Sequence, residues 1–170
     1  MVRGFTLLEL MISVFVMAVL MIAIVPNFSG LSRETKVERV AQEIYGLMMQ
    51  TKAHAIMRNE PLWVHFSNLP HGSELGEWDI TVTNDASSST AAVFTLHGQP
   101  YKSVYIQLNH NSQQIKFDHL TGVVLSAGTL TISPYSQQES GIKIVTSSAS
   151  GRIVICQFGS REYGVGRCSS

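Results

Sequence analysis

The chain begins with an unbroken apolar stretch and then changes period twice. Over residues 5–25 only Thr6, Glu9 and Ser13 are not apolar, and twenty-one such residues reach the roughly 20 that a membrane-spanning helix needs. Pro26 and Asn27 interrupt the run. From Val37 onward Val37, Val40, Ala41, Ile44, Leu47, Met48, Thr51 and Ala55 fall at i, i+3, i+4, i+7 spacing, the pattern of a helix with one buried face. Glu34, Lys36, Glu38, Arg39, Glu43 and Lys52 take the other face, with Lys36 and Arg39 relieving the Glu34–Glu38 repulsion. Pro61 forces the preceding residue out of helical geometry. Residues 5–59 are therefore expected to form one long helix, bent at Pro26 and about 80 Å in length. Its first half suits lipid or other apolar helices, and its second half suits a globular body.

Beyond Pro61 the period shortens to two. Runs rich in Val, Ile, Phe, Tyr and Thr, separated by Gly, Pro, Asn and Ser, predict strands at 62–67, 78–83, 92–97, 104–109, 114–118, 129–133, 141–146 and 152–157. Alternation at 104–109 and 141–146 indicates antiparallel sheet with one solvated face. Polar stretches at 84–90 and 133–140 read as loops. Strands of this number need a cover for their apolar face, and the amphipathic half-helix supplies it. The expected class is α+β: a long N-terminal hydrophobic helix whose second half (31–60) packs on an antiparallel β domain (61–170).

Composition sharpens this picture in two places. The chain of 170 residues is neutral overall, with 12 basic and 12 acidic residues, which argues against a whole-surface binder of nucleic acid. The charge is unevenly placed, however. Residues 61–140 hold two lysines against six acids, whereas residues 141–170 hold Lys143, Arg152, Arg161 and Arg167 against Glu162 alone. The two cysteines, Cys156 and Cys168, also lie in this last segment. In an exported chain such a pair reads as a disulfide, and in the cytosol as free or reactive thiols. Compartment decides between these, and the amino terminus decides compartment. No Ala-x-Ala cleavage site follows the apolar run, so a membrane segment is favoured over an ordinary secretory signal.

Glu9 is the residue out of place. A carboxylate at the centre of a membrane helix costs roughly 2.5–3.5 kcal/mol. Either it lies at the membrane surface and snorkels, or it has a partner and a function.

Gly4-Phe5-Thr6-Leu7-Leu8-Glu9, followed by an apolar helix with proline about twenty residues on, resembles the amino terminus of type IV pilins and pseudopilins. The stretches Ile115-Lys-Phe-Asp-His-Leu-Thr-Gly122 and Gly151-Arg-Ile-Val-Ile-Cys156 extend the likeness to the FimT/GspH group of minor pilins and minor pseudopilins. The resemblance implies a leader of residues 1–4, removed between Gly4 and Phe5 by a prepilin peptidase that N-methylates the new amine. A membrane or filament-core helix follows at 5–30. It further implies that Glu9 pairs with the Phe5 ammonium of its own or a neighbouring subunit, and that Pro26 bends the helix. Low dielectric makes such a pair strong and an unpaired member costly. The implied partners are other major and minor pilins, the peptidase and the inner-membrane assembly platform. The implied location is the bacterial inner membrane, single-pass with a periplasmic globular domain, and then the extracellular filament. Pro26 is commoner in pilins than in H-type pseudopilins, which favours a minor pilin of a type IV pilus over a component of type II secretion.

Cys156 and Cys168 would enclose a pliable ring containing Gly159, Gly164 and Gly166. Some FimT-like pilins carry Gly-Arg-x-Arg near this end and bind DNA, and here Gly166-Arg167-Cys168-Ser169 holds only the first arginine. Lys143, Arg152, Arg161, Tyr163 and Arg167 are accordingly the candidate DNA contacts, the cations for phosphates and the tyrosine for stacking. The alternative is that the arginines solubilise a tied loop. The six histidines lack metal-ligand spacing and are expected at surface or half-buried positions. No nucleophile elbow, Walker loop or His-Glu-x-x-His is present. The sequence contains no motif for a cofactor, a metal or catalysis.

Overall fold

The computed structural model describes residues 6–69, 72–88, 90–110, 112–136 and 139–168, excepting the side chains of residues 22–31. Gly4 and Phe5 lie outside the described residues, as does the side chain of Pro26. One helix, α1, runs Leu7–Arg58, and eight strands follow. They are β1 (Leu62–Ser67), β2 (Asp79–Thr83), β3 (Phe94–His97), β4 (Tyr105–His110), β5 (Gln114–Phe117), β6 (Gly128–Ser133), β7 (Gly141–Ser147) and β8 (Arg152–Phe158). A 3-10 turn at Gln99–Tyr101 joins β3 to β4. Every strand predicted from the sequence is present, displaced at its ends by two residues at most.

The chain divides into two compact units, residues 1–34 and 35–170. In the first, the described side chains of residues 7–21 are exposed. Thr6, just before the helix, accepts the Glu9 backbone N–H on Oγ1 at 3.3 Å. Ser13 Oγ donates back to the Glu9 carbonyl at 2.8 Å. The helical backbone continues through Pro26. Among the described residues no helix is long and apolar enough to cross a membrane.

In the second unit the antiparallel strands expected from the sequence form two four-stranded sheets, ordered β3-β2-β1-β5 and β4-β6-β7-β8. Sequence periodicity gives each strand's inward face but not its partner, so the division was not legible. The register puts Val64 beside Val82 and Ile115 in the first sheet. In the second it puts Ile132 beside Ile106 and Ile142. The predicted helical face lies among these strands: Val37, Val40, Ala41, Ile44, Met48, Thr51 and Ala55 are buried, and Leu47 is half-buried. Enclosing an Ile or Met of this kind is worth about 1.5–3 kcal/mol. Thr51 is tolerated there because its hydroxyl donates to the Leu47 carbonyl at 2.8 Å.

Candidate functional site: the helix amino terminus and the disulfide-tied segment

The pairing of Cys156 with Cys168 is realised, with their Cα atoms 4.9 Å apart. It fastens the chain end to the margin of the second sheet. Gln157 N–H donates to the Gly166 carbonyl at 2.8 Å, and Cys168 N–H donates to the Gln157 carbonyl at 3.0 Å. Gln157 and Arg167 are thus bridged in parallel. Inside the ring, Tyr163 N–H donates to Gln157 Oε1.

The five candidate DNA contacts are not gathered into one surface. Tyr163 is 4% exposed and belongs to the hydrophobic core, so its ring is closed to a stacking base. This corrects the sequence expectation. An aromatic in a ring of glycines and arginines looks exposed, but the disulfide folds it inward. Arg161 lines a small hollow with Tyr135 and Glu139. Arg152 is exposed opposite Ser147 at the start of β8. Lys143 and Arg167 do come together. With Thr129, Val145, Val154 and the disulfide they line a trough of about 370 Å³ on the outer face of β6–β8. Lys143 Nζ also lies 4.7 Å from the centre of the Phe158 ring.

Other polar features were not anticipated. His65 is 6% exposed, contrary to the expectation of surface or half-buried histidines. Its Nε2 meets Thr83 Oγ1 at 2.9 Å, and that hydroxyl donates to the Asp85 carbonyl at 2.6 Å. The loop after β2 therefore folds over the outer face of β1 and β2. His97 Nδ1 contacts Asp79 Oδ1 at 2.6 Å across the β2–β3 pair. Tyr101 donates to the Glu43 carboxylate of α1; burial and this acceptor push its pKa up to about 12. Thr121, through its hydroxyl and its backbone N–H, bonds Asp118 Oδ2 at 2.7 and 3.0 Å. These bonds hold the Asp118 carboxyl below its ordinary pKa. No group of three or more potential metal ligands occurs among the described residues.

The Thr6–Glu9 contact has a signature in the sequence. Thr6-Leu7-Leu8-Glu9 has the Thr-x-x-Glu spacing of a capping box.

The family model of the prokaryotic N-terminal methylation motif matches residues 1–25. The fold is shared with the type IV minor pilin FimU of Pseudomonas aeruginosa strain PAO1, seen in two crystal structures. One, in space group P21, is 13% identical with a TM-score of 0.57, covering 74% of this chain and 91% of that one. The other, in P65, is 14% identical with a TM-score of 0.54, covering 68% and 88%. No curated protein matches the chain. The family model of the type II transport protein GspH matches residues 40–163, from the buried helix face to the core tyrosine of the disulfide ring, and the chain belongs to that family.

Proposed function

We propose that the protein is a minor subunit of a type IV pilus. In this reading a prepilin peptidase cuts between Gly4 and Phe5 and methylates the Phe5 amine. The apolar helix of residues 5–30 holds the subunit in the inner membrane and then enters the filament core, while the β domain remains outside the membrane. Glu9 sets the axial register by pairing with a Phe5 ammonium. The observation that carries the reading is the joining of two differently built half-helices in α1. Residues 7–21 present apolar side chains to their surroundings, with Glu9 the charge among them, whereas the 37–55 face is buried in the β domain. A helix exposing that much apolar surface calls for lipid or other helices. The methylation motif at residues 1–25 supports the processing step.

Mass spectrometry of the mature chain tests this. The expected product starts at methylated Phe5. Retention of residues 1–4 removes the ammonium that Glu9 requires, and with it the reading.

A second reading, an H-type minor pseudopilin of type II secretion, is favoured by the description of the family model as a type II transport protein. A deletion strain separates the two: loss of surface pili supports the first, and loss of protein secretion with pili intact supports the second.

A further inference from the structure

β8 is the last strand of the order β4-β6-β7-β8, so one of its sides has no strand beside it. The carboxyl end of that side is covered, because Gln157 bonds Gly166 through its N–H and Cys168 through its carbonyl. Along an antiparallel edge strand, residues that bond the inner partner alternate with residues whose backbone groups point outward. Gln157 points outward, and Ile155 and Ile153 fall on the same phase of β8. Among the described residues the bridge from Gln157 to Arg167 is the whole of the cover, and nothing bonds the outward groups of Ile153 and Ile155. The opposite margin of the sheet differs, since Ser73 exchanges backbone bonds in both directions with Ile106 of β4.

The side chains along this open stretch have a definite order. Arg152, Val154 and Cys156 share the outer face of β8, and Ser147, Val145 and Lys143 lie opposite them on β7. Arg152 is exposed and Val154 is 41% exposed. At the Cys156 end the trough adds Lys143 and Arg167, and none of its lining residues is acidic. Cation, apolar side chain and cation therefore follow one another along a row of about 14 Å, at about 3.4 Å per residue. On the inner face Ile153 and Ile155 are only half-buried. An open edge with apolar side chains is a surface that proteins cover or block; here Arg152 bounds it at one end and the disulfide ring at the other.

We infer that the open edge of β8 takes an extended segment of a different filament subunit as an added strand. The segment carries an acid opposite Arg152, an apolar residue opposite Val154 and a second acid facing Lys143 and Arg167. The identity of the partner as a filament subunit rests on the reading above; the site rests on the edge itself. Added strands gain affinity from main-chain bonds and selectivity from alternate side chains. A nucleic acid would answer the cations but leave the outward amides of Ile153 and Ile155 unpaired and Val154 bare, whereas an acidic strand answers all three. The charged ends make the contact weaken with salt.

The test uses the full chain in nonionic detergent and a labelled, capped peptide, Ser-Glu-Val-Val-Val-Glu-Ser, with a control in which lysines replace the glutamates. Fluorescence anisotropy reads binding, and residue-resolved hydrogen exchange reads its geometry. The acidic peptide should bind saturably, and the lysine peptide about tenfold more weakly, a difference of roughly 1.4 kcal/mol. In the complex the Ile153 and Ile155 amides should slow, while those of Val154 and Cys156, already bonded to β7, should hardly change. The double variant Arg152→Glu/Arg167→Glu, at exposed positions, should reverse the preference between the peptides, which a misfolded chain would not do. Absence of saturable binding, equal binding of both peptides, or binding that leaves Ile153 and Ile155 exchanging as before would overturn the inference. So would a DNA duplex that binds through Arg152 and Arg167 to a chain that ignores the peptide. The filament-subunit reading is judged separately, on the mass of the mature amino terminus: failure of the peptide beside a methylated Phe5 removes only the added strand.

Discussion

At Glu9 the backbone N–H is already held by Thr6 Oγ1 at 3.3 Å, so the residue has a local role at the start of α1 as well as the assembly role proposed for its charge. Substitution separates them. Glutamine keeps the N3 amide and an acceptor suited to a capping box, but removes the anion. If the charge matters, Glu9→Gln and Glu9→Ala should both reduce the amount of chain in sheared filaments relative to membranes. The expected reduction is on the order of tenfold or more, since hydrogen bonds to charged groups are worth about 1.5–3 kcal/mol. Wild-type incorporation of the glutamine variant would leave only the capping role. The sequence made the anomaly of Glu9 plain because a carboxylate in an apolar run stands out by composition. The burial of His65 and Tyr163 was not legible in the same way. Each depends on a segment returning from elsewhere, the loop at Asp85 for one and the disulfide ring for the other.

Among the elements, α1 is tied to the connection between β3 and β4 by the Tyr101–Glu43 hydrogen bond, and the Trp78 and Tyr101 rings stack at 6.2 Å beside it. The Tyr101 pKa, about 12 in the folded protein, is above the ordinary value near 10. Its stabilising contribution is therefore complete below about pH 10 and is lost as the pH rises through 12. The stability difference between wild type and Tyr101→Phe, from denaturant titrations at a series of pH values, should shrink by on the order of 2–3 kcal/mol across that window. A constant difference would show that the phenol's proton is not engaged. Strand positions were legible because Leu62-Trp-Val-His-Phe-Ser and Gly141-Ile-Lys-Ile-Val-Thr alternate with period two. Sheet membership was not: β5 crosses back to pair with β1, and β4 pairs with β6, and neither pairing is written in the strands themselves.

For the molecule as a whole, the disulfide does more than close a loop. Its ring returns beside β8, gives Gln157 its two backbone partners and brings Tyr163 into the core shared by α1 and both sheets. It also forms one wall of the trough, through Cys156, Arg167 and Cys168. Replacing both cysteines with serine should therefore have effects of two ranges. Loop closure over the 12-residue separation stabilises by about 3 kcal/mol in the chain-entropy model, and that loss should appear in global unfolding. Locally, the Gln157 amide should exchange with solvent much faster, because opening the ring exposes the edge of β8. Amides in the middle of β7, such as Ile144 between β6 and β8, should accelerate only by the global amount. Hydrogen exchange on the full chain in detergent reads both. Equal acceleration at Gln157 and Ile144 would mean that the carboxyl segment and the sheets unfold as one body. Unchanged exchange at Gln157 would mean that Tyr163 and the backbone bonds hold the segment without the disulfide.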